Sequence, residues 1–220
     1  MSASPISPRL VRAGIVTMDA DTSVVQSIIA LQYNPDSLTR TLQIQAAKGG
    51  EDGVRVDALR LRGPAVETIK LEAELDSVDQ LEFPNQNHLA VQYGLQPQLA
   101  QLEMLVNPSV ETLNADNNLA NKGTLEIVPL EQSLTLFVWS KTRVVPVRLT
   151  DFSITEEAFD VNLNPIRAKV SLGFRVLNVD DLGFDNPGGQ MFMAYLAQKE
   201  RLASKVSNVA ISVLGLGGLP

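Results

Sequence analysis

The chain has 220 residues, 45% of them apolar and 20% charged, so it carries enough Leu, Val, Ile and Ala for a real core and does not read as disordered. A net charge of -7 and a pI near 4.8 oppose nucleic-acid binding, which needs clustered Lys and Arg. The absence of cysteine removes disulfides, thiolate metal sites and a Cys nucleophile together.

Residues 1–11 read as an N-terminal arm without the apolar stretch of a signal peptide, and the expectation is a soluble protein made in the cytoplasm. Residues 12–18 and 24–33 are the first two predicted strands, about the turn Asp19-Ala20-Asp21-Thr22. Tyr33 is expected in the core where the second strand ends, with Asn34-Pro35-Asp36 turning the chain because Pro35 fixes φ and removes a donor. Residues 38–45 restart as a strand. Lys48, Gly49, Gly50, Glu51, Asp52 and Gly53 then form a polar loop, the predicted tip of a long hairpin over 39–62, with a bulge at Ala58-Leu59 where the apolar phase slips.

Residues 68–76 alternate fully, with Ile69, Leu71, Ala73 and Leu75 on one face and Lys70, Glu72 and Glu74 on the other, the pattern of a half-buried strand. Leu95, Leu99, Leu102 and Val106 follow helical spacing, so a helix is predicted over 96–106, begun at Pro97 and stopped by Asn107-Pro108. The Asn-rich stretch 109–123 reads as a loop. Strands are predicted over 134–139, ending at a core Trp139, and over 143–152, where Pro146 points to a sheet edge or a bulge. Two more follow over 153–160 and 167–177, about the turn at 161–165. In the last, Ala168, Val170, Leu172, Phe174 and Val176 face inward, and Arg167, Lys169, Ser171 and Arg175 outward. A C-terminal helix over about 190–208 lines one side with Phe192, Tyr195, Leu202 and Val206, and an apolar, glycine-ended tail follows it. The tail is shorter than the ~20 residues of a membrane-spanning helix, so no direct membrane insertion is expected.

Chemistry is sparse in this pattern. His88, the lone histidine, lies in a polar stretch with Asn85, Gln86 and Asn87, and reads as a solvated residue rather than a catalytic base. One histidine and no cysteine cannot supply the three or four N or S ligands of a zinc site. Asp19 with Asp21, and Asp180, Asp181 and Asp185, read as turn and strand-end residues, since they lack the regular spacing of a calcium loop. Lys48-Gly49-Gly50 lacks the order of a phosphate-binding loop. Glu72, Glu74, Glu156 and Glu157 would be the carboxylates of a hydrolase, but fall on solvent faces or strand ends. No catalytic, cofactor-binding or metal residue is assigned, and the chain is not read as an enzyme. Arg167, Lys169 and Arg175 could make a charged contact with a partner, and Leu202 and Val206 an apolar one.

Several segments in order resemble the tube proteins of contractile injection systems, of the kind related to phage baseplate tube initiators. They are Arg12-Ala13-Gly14-Ile15-Val16 and the later Leu31-Gln32-Tyr33-Asn34-Pro35; Gly63-Pro64 followed by the strand ending at Asp76; Leu136-Phe137-Val138-Trp139; and the hairpin with Asn164-Pro165-Ile166-Arg167-Ala168 at its turn exit. The likeness covers about residues 10–180. Ser140 stands where Gly is expected after Trp139, and a helix and apolar tail stand where several relatives carry a LysM module, so peptidoglycan-type docking is not carried over.

The resemblance implies a mainly β fold with one or two helices: a tube-like barrel or sandwich over 12–185 with an extended hairpin, then a helix and tail over 186–220. It implies a structural subunit, without cofactors, of a hexameric tube or tube-initiator ring. Its partners would be its own copies, neighbouring rings, and spike, hub and baseplate proteins, with no nucleic acid. The phage tail-like particle would lie free in the cytoplasm, docked at a membrane or thylakoid, or released. Residues 48–53 would reach the next ring or subunit. Two alternatives stay open: a free-standing β-sandwich binding module, for carbohydrate as an example, and a carboxylate hydrolase.

Overall fold

A computed structural model of the chain describes residues 11–20, 22–46, 60–121, 133–206 and 213. Strands β1 (Gly14–Met18) and β2 (Val25–Ala30) form one hairpin, and β3 (Leu38–Gln43) and β4 (Val66–Asp76) form another. β5 (Leu134–Ser140), β6 (Arg143–Phe159) and β7 (Pro165–Val176) follow as a meander. All join one antiparallel seven-stranded sheet in the order β2-β1-β5-β6-β7-β4-β3. The fold is mainly β, and the two ends of the sequence interleave, β1 pairing with β5 and β4 with β7.

The sheet is not closed into a barrel: among the described residues β2 and β3 are its two edges. Yet it curves enough that the chain leaving β2 reaches the end of β4, the strand next to the other edge. Leu31 is still on the β1 ladder, its N–H donating to the Ala13 carbonyl at 2.8 Å, and the next residue, Gln32, bonds the end of β4. Residues 31–37 thus carry the chain directly from one edge to the other.

The pleat decides what enters this curl. Ile15, Ile29, Ile69, Leu71, Ala73, Leu75, Phe137, Val145, Val147 and the five predicted β7 residues are buried in one cluster. Each buried Val, Leu, Ile or Phe among them contributes roughly 1.5–3 kcal/mol of transfer free energy, and Ala73 and Ala168 less. Phe137 stacks on Phe174 at 5.1 Å between ring centroids, and Trp139, half-buried, packs on Phe137 at 6.0 Å. β6 runs as one strand where the sequence pattern gave two. A register shift between Leu149 and Asp151 changes the phase, so Val147 and Leu149 face inward before it and Phe152 and Ile154 after it.

Pro146 lies in an interior strand, not at an edge. It is tolerated because the β6–β7 ladder begins at Val147. On that side the Pro146 carbonyl accepts from Leu177 N–H at 2.9 Å, and no donor is needed.

Six helices appear among the described residues, against the one or two expected. They are α1 (Val78–Leu81), α2 (His88–Tyr93), α3 (Gln96–Glu103), α4 (Val110–Asn121), α5 (Val179–Leu182) and α6 (Pro187–Ala203). α1, α2 and α5 are too short to print a helical period. α4 occupies the stretch read as a loop. Its Asn and Asp content disguises it, but Ser109 Oγ accepts from Thr112 N–H at 3.1 Å, an N-terminal cap. α3 closes the mouth of the curl, burying Leu95, Leu99 and Leu102 in the core. It is fixed at its start by Leu95 N–H to the Pro165 carbonyl, 2.8 Å, and Gln101 Nε2 lies 3.3 Å from Ser27 Oγ on β2. The approach at Pro165 demands Gly94: φ is +57°, and a Cβ there would lie 2.3 Å from the Pro165 oxygen. α6 brings Phe192 and Tyr195 into the same core. None of the helices among the described residues is long and apolar enough to cross a membrane.

Candidate assembly surface

The outer face of the sheet has two unlike halves, and the pairing register produces both. On β4, β7 and the second half of β6, the residues opposite the core phase are polar or charged. Asp76, Arg167 and Glu157 form one row, and Glu74, Lys169 and Thr155 the next. Opposite charges therefore meet across strands. Arg167 lies 2.9 Å from Asp76, Lys169 3.7 Å from Glu157, and Arg175 2.7 Å from Asp181. Each of the three outward cations expected to seek a partner has a carboxylate of its own chain. Asp181 is also engaged at the start of α5, where its side chain accepts from Asn178 N–H while Asn178 caps the helix in return.

On β2, β1, β5 and the start of β6, as far as Pro146, two rows of outward residues are apolar. Ile28, Val16, Leu136 and Pro146 form one row, and Ala30, Gly14, Val138 and Val144 the next. Leu182 and Met191 pack on the part around Leu134 and Leu136. Nothing among the described residues covers the β2 side: Ile28 is 66% exposed, and Val24 and Val25 are also exposed. Among the described residues the β2 edge thus joins main-chain groups without a neighbouring strand to an uncovered apolar surface, the combination that monomeric sheet proteins avoid.

The second edge, β3, is built differently. Its hairpin extends past the ladder through the Ala46–Leu61 bridge and Arg62 N–H to the Gln45 carbonyl at 2.8 Å. Leu42, Ile44 and Leu61 are exposed along it. Its predicted tip, Lys48, Gly49, Gly50, Glu51, Asp52 and Gly53, and the predicted bulge at Ala58-Leu59 lie outside the described residues, as do residues 1–10 and the tail beyond Val206 apart from Val213.

Behind β3 sits a charged cluster. Glu67 is in phase with the core face of β4 and only 3% exposed. Arg40 on β3 donates to Glu67 Oε1 at 2.6 Å, and Lys199 on α6 to Oε2 at 2.8 Å. The Tyr195 hydroxyl donates to the same carboxylate at 3.0 Å and accepts from Arg40 at 3.1 Å, while the Lys199 ammonium lies 4.1 Å from the Tyr195 ring centroid. Burial pushes the Glu67 carboxyl up, but hydrogen bonds from Arg40 and Lys199 and their charges outweigh it and hold it below the usual carboxylate value.

Leu202 near the end of α6 and Val206 beyond it are exposed, and neither lines the side that Phe192 and Tyr195 bury. His88 is exposed at the start of α2, and Glu72 and Glu74 are exposed on the charged half. Asp19 accepts from Thr22 in its turn. Tyr33 is exposed, correcting its expected place in the core. Leu31 fills the core there, because the chain leaves the ladder at Gln32. Asn34 holds that exit, accepting from Ala13 N–H and donating to the Val11 carbonyl, both at 2.9 Å.

No protein-family model matches the chain, and no curated protein sequence matches it.

Sequence reasoning missed Glu67, Arg40, Tyr195 and Lys199 as a group. The signal was present: two residues before Ile69, Glu67 is a charge on the apolar phase of the strand. The outward apolar half was missed because β1, β2 and β5 read as apolar on both faces, and only pairing shows which face is covered.

Proposed function

We propose that this chain is a structural subunit whose copies complete one another's sheet edges in a closed ring, a tube or tube-initiator ring of a contractile injection system. The observation that carries the reading is the β2 edge, where a strand with no second neighbour among the described residues coincides with exposed Val25 and Ile28 on an apolar outer face. An edge of this kind is satisfied by strand addition, which supplies main-chain hydrogen bonds and buries alternate side chains. Head-to-tail contact between unlike edges, β2 of one subunit near β3 of the next, closes into a ring when the rotation per subunit divides the circle. The resemblance to tube proteins implies a hexameric ring, either between spike hub and stacked tube or itself a layer of the tube.

The test is the mass and shape of the purified protein. Native mass measurement and negative-stain electron microscopy should show six-fold rings, or stacks of them, on their own or after addition of baseplate components. A chain that stays monomeric throughout, with all of its edges solvated, would turn the reading to the free-standing binding module.

A further inference from the structure

We propose that residues 196–203, the C-terminal half of α6, form a clasp that the buried Glu67 carboxylate holds against the β3–β4 hairpin, and that this half leaves as a unit when the ion cluster is broken while the N-terminal half stays seated.

The two halves of the helix are held by different forces. The first is fixed by packing. Phe192 and Tyr195 are buried, and a Cβ on Gly188 would lie 2.6 Å from Leu182, and one on Gly189 1.9 Å from the Gly183 oxygen. Asn186 caps its first turn by accepting from Gly188 N–H at 2.8 Å. After Tyr195 fully buried positions end: Leu196 still packs on the core but is only half-buried, as are residues 197–199, and 200–203 are exposed. Among the described residues, the side-chain bond that ties this half to the sheet is Lys199 to Glu67.

The cluster is poised by its charge count. Two cations, Arg40 and Lys199, share one carboxylate. Both are partly solvated, so they meet across Glu67 and would repel without it. Neutralising Glu67 therefore removes the attraction and leaves the repulsion, pushing Lys199 and its half-helix outward. Removing Lys199 leaves Glu67 with Arg40 and Tyr195, so the sheet keeps its buried pair and the helix alone loses its tie. The device belongs to the single subunit and does not depend on ring formation.

Hydrogen exchange by peptide mass spectrometry on the full chain tests it. In the wild type, amides over 196–203 should be protected. In Glu67→Gln and in Lys199→Gln, exchange there should rise at least tenfold; in Lys199→Gln 188–195 and β4–β7 should be unchanged, in Glu67→Gln they should rise by less than 196–203, and Lys199→Arg should restore protection. If Glu67→Gln does not fold, Lys199→Gln decides alone. The proposal is overturned by a wild type unprotected over 196–203, by unchanged exchange in the variants, by exchange rising evenly through α6 and the sheet, by failure of Lys199→Arg to restore protection, or by unfolding of both variants.

Discussion

The side-chain amide of Gln32 stands in for a strand beside Asp76: its Nε2 donates to the Asp76 carbonyl at 2.6 Å, and its Oε1 accepts from the Asp76 N–H at 2.9 Å. β3 pairs with β4 only as far as Leu38 opposite Leu71, so the end of β4 extends beyond its neighbour. Gln32 satisfies both main-chain groups there and pins the turn of chain between the two sheet edges.

Replacing Gln32 with Ala should lower stability by about 1–2 kcal/mol, since two main-chain groups lose a partner in a half-buried place. Urea unfolding should show a lower midpoint with an unchanged slope, as the rest of the fold is retained. An unaltered midpoint would mean that water replaces the amide without loss.

Acidification should act through Glu67. Its carboxyl is held below the usual value in the folded chain, so its stabilisation is complete above the unfolded carboxylate pKa and is lost as pH falls through the depressed one. Glu67→Gln should cost about 3–5 kcal/mol at neutral pH, the usual effect of breaking a buried ion pair from one side. It should also flatten the fall in stability below about pH 4.5. Urea midpoints measured from neutral to acid pH check both, and parallel acid limbs in the two proteins would remove Glu67 as the titrating group.

Self-association should depend on the outward side of β2. Ile28→Asp changes a side chain that is 66% exposed, so it should alter stability by no more than about 0.5 kcal/mol yet prevent oligomers from forming. Val161→Asp, at a 99% exposed position on the β6–β7 turn, should leave association intact. Light scattering on the two variants separates the edge from a general effect of added charge. Equal association by both would place the contact elsewhere.

Much of the sheet was legible because alternation has one physical source, the two-residue pleat. Ile69, Leu71, Ala73 and Leu75, and the inward row from Ala168 to Val176, were readable since every second residue was polar. α3 was readable from Leu95, Leu99 and Leu102. The short helices were not, because four to six residues complete too little of a turn pattern, and Pro146 misled because its tolerance depends on where a neighbouring ladder begins. Of the candidate surface, the outward cations were legible as a row, but their partners Asp76, Glu157 and Asp181 were not, since two of the three belong to other strands and the third to a following helix.

By itself the sequence determined the β class, the inward phase of β4 and β7, the Asn34-Pro35 turn and the absence of cysteine chemistry, because each follows from local sterics or from residue type. Only the tertiary structure decided which strands are edges, that the outer face divides into a charged and an apolar half, and that Arg40, Glu67, Tyr195 and Lys199 meet. Those relations join residues up to 159 positions apart, from Arg40 to Lys199, and a contact at that separation is set by strand order and helix docking, not by any local pattern.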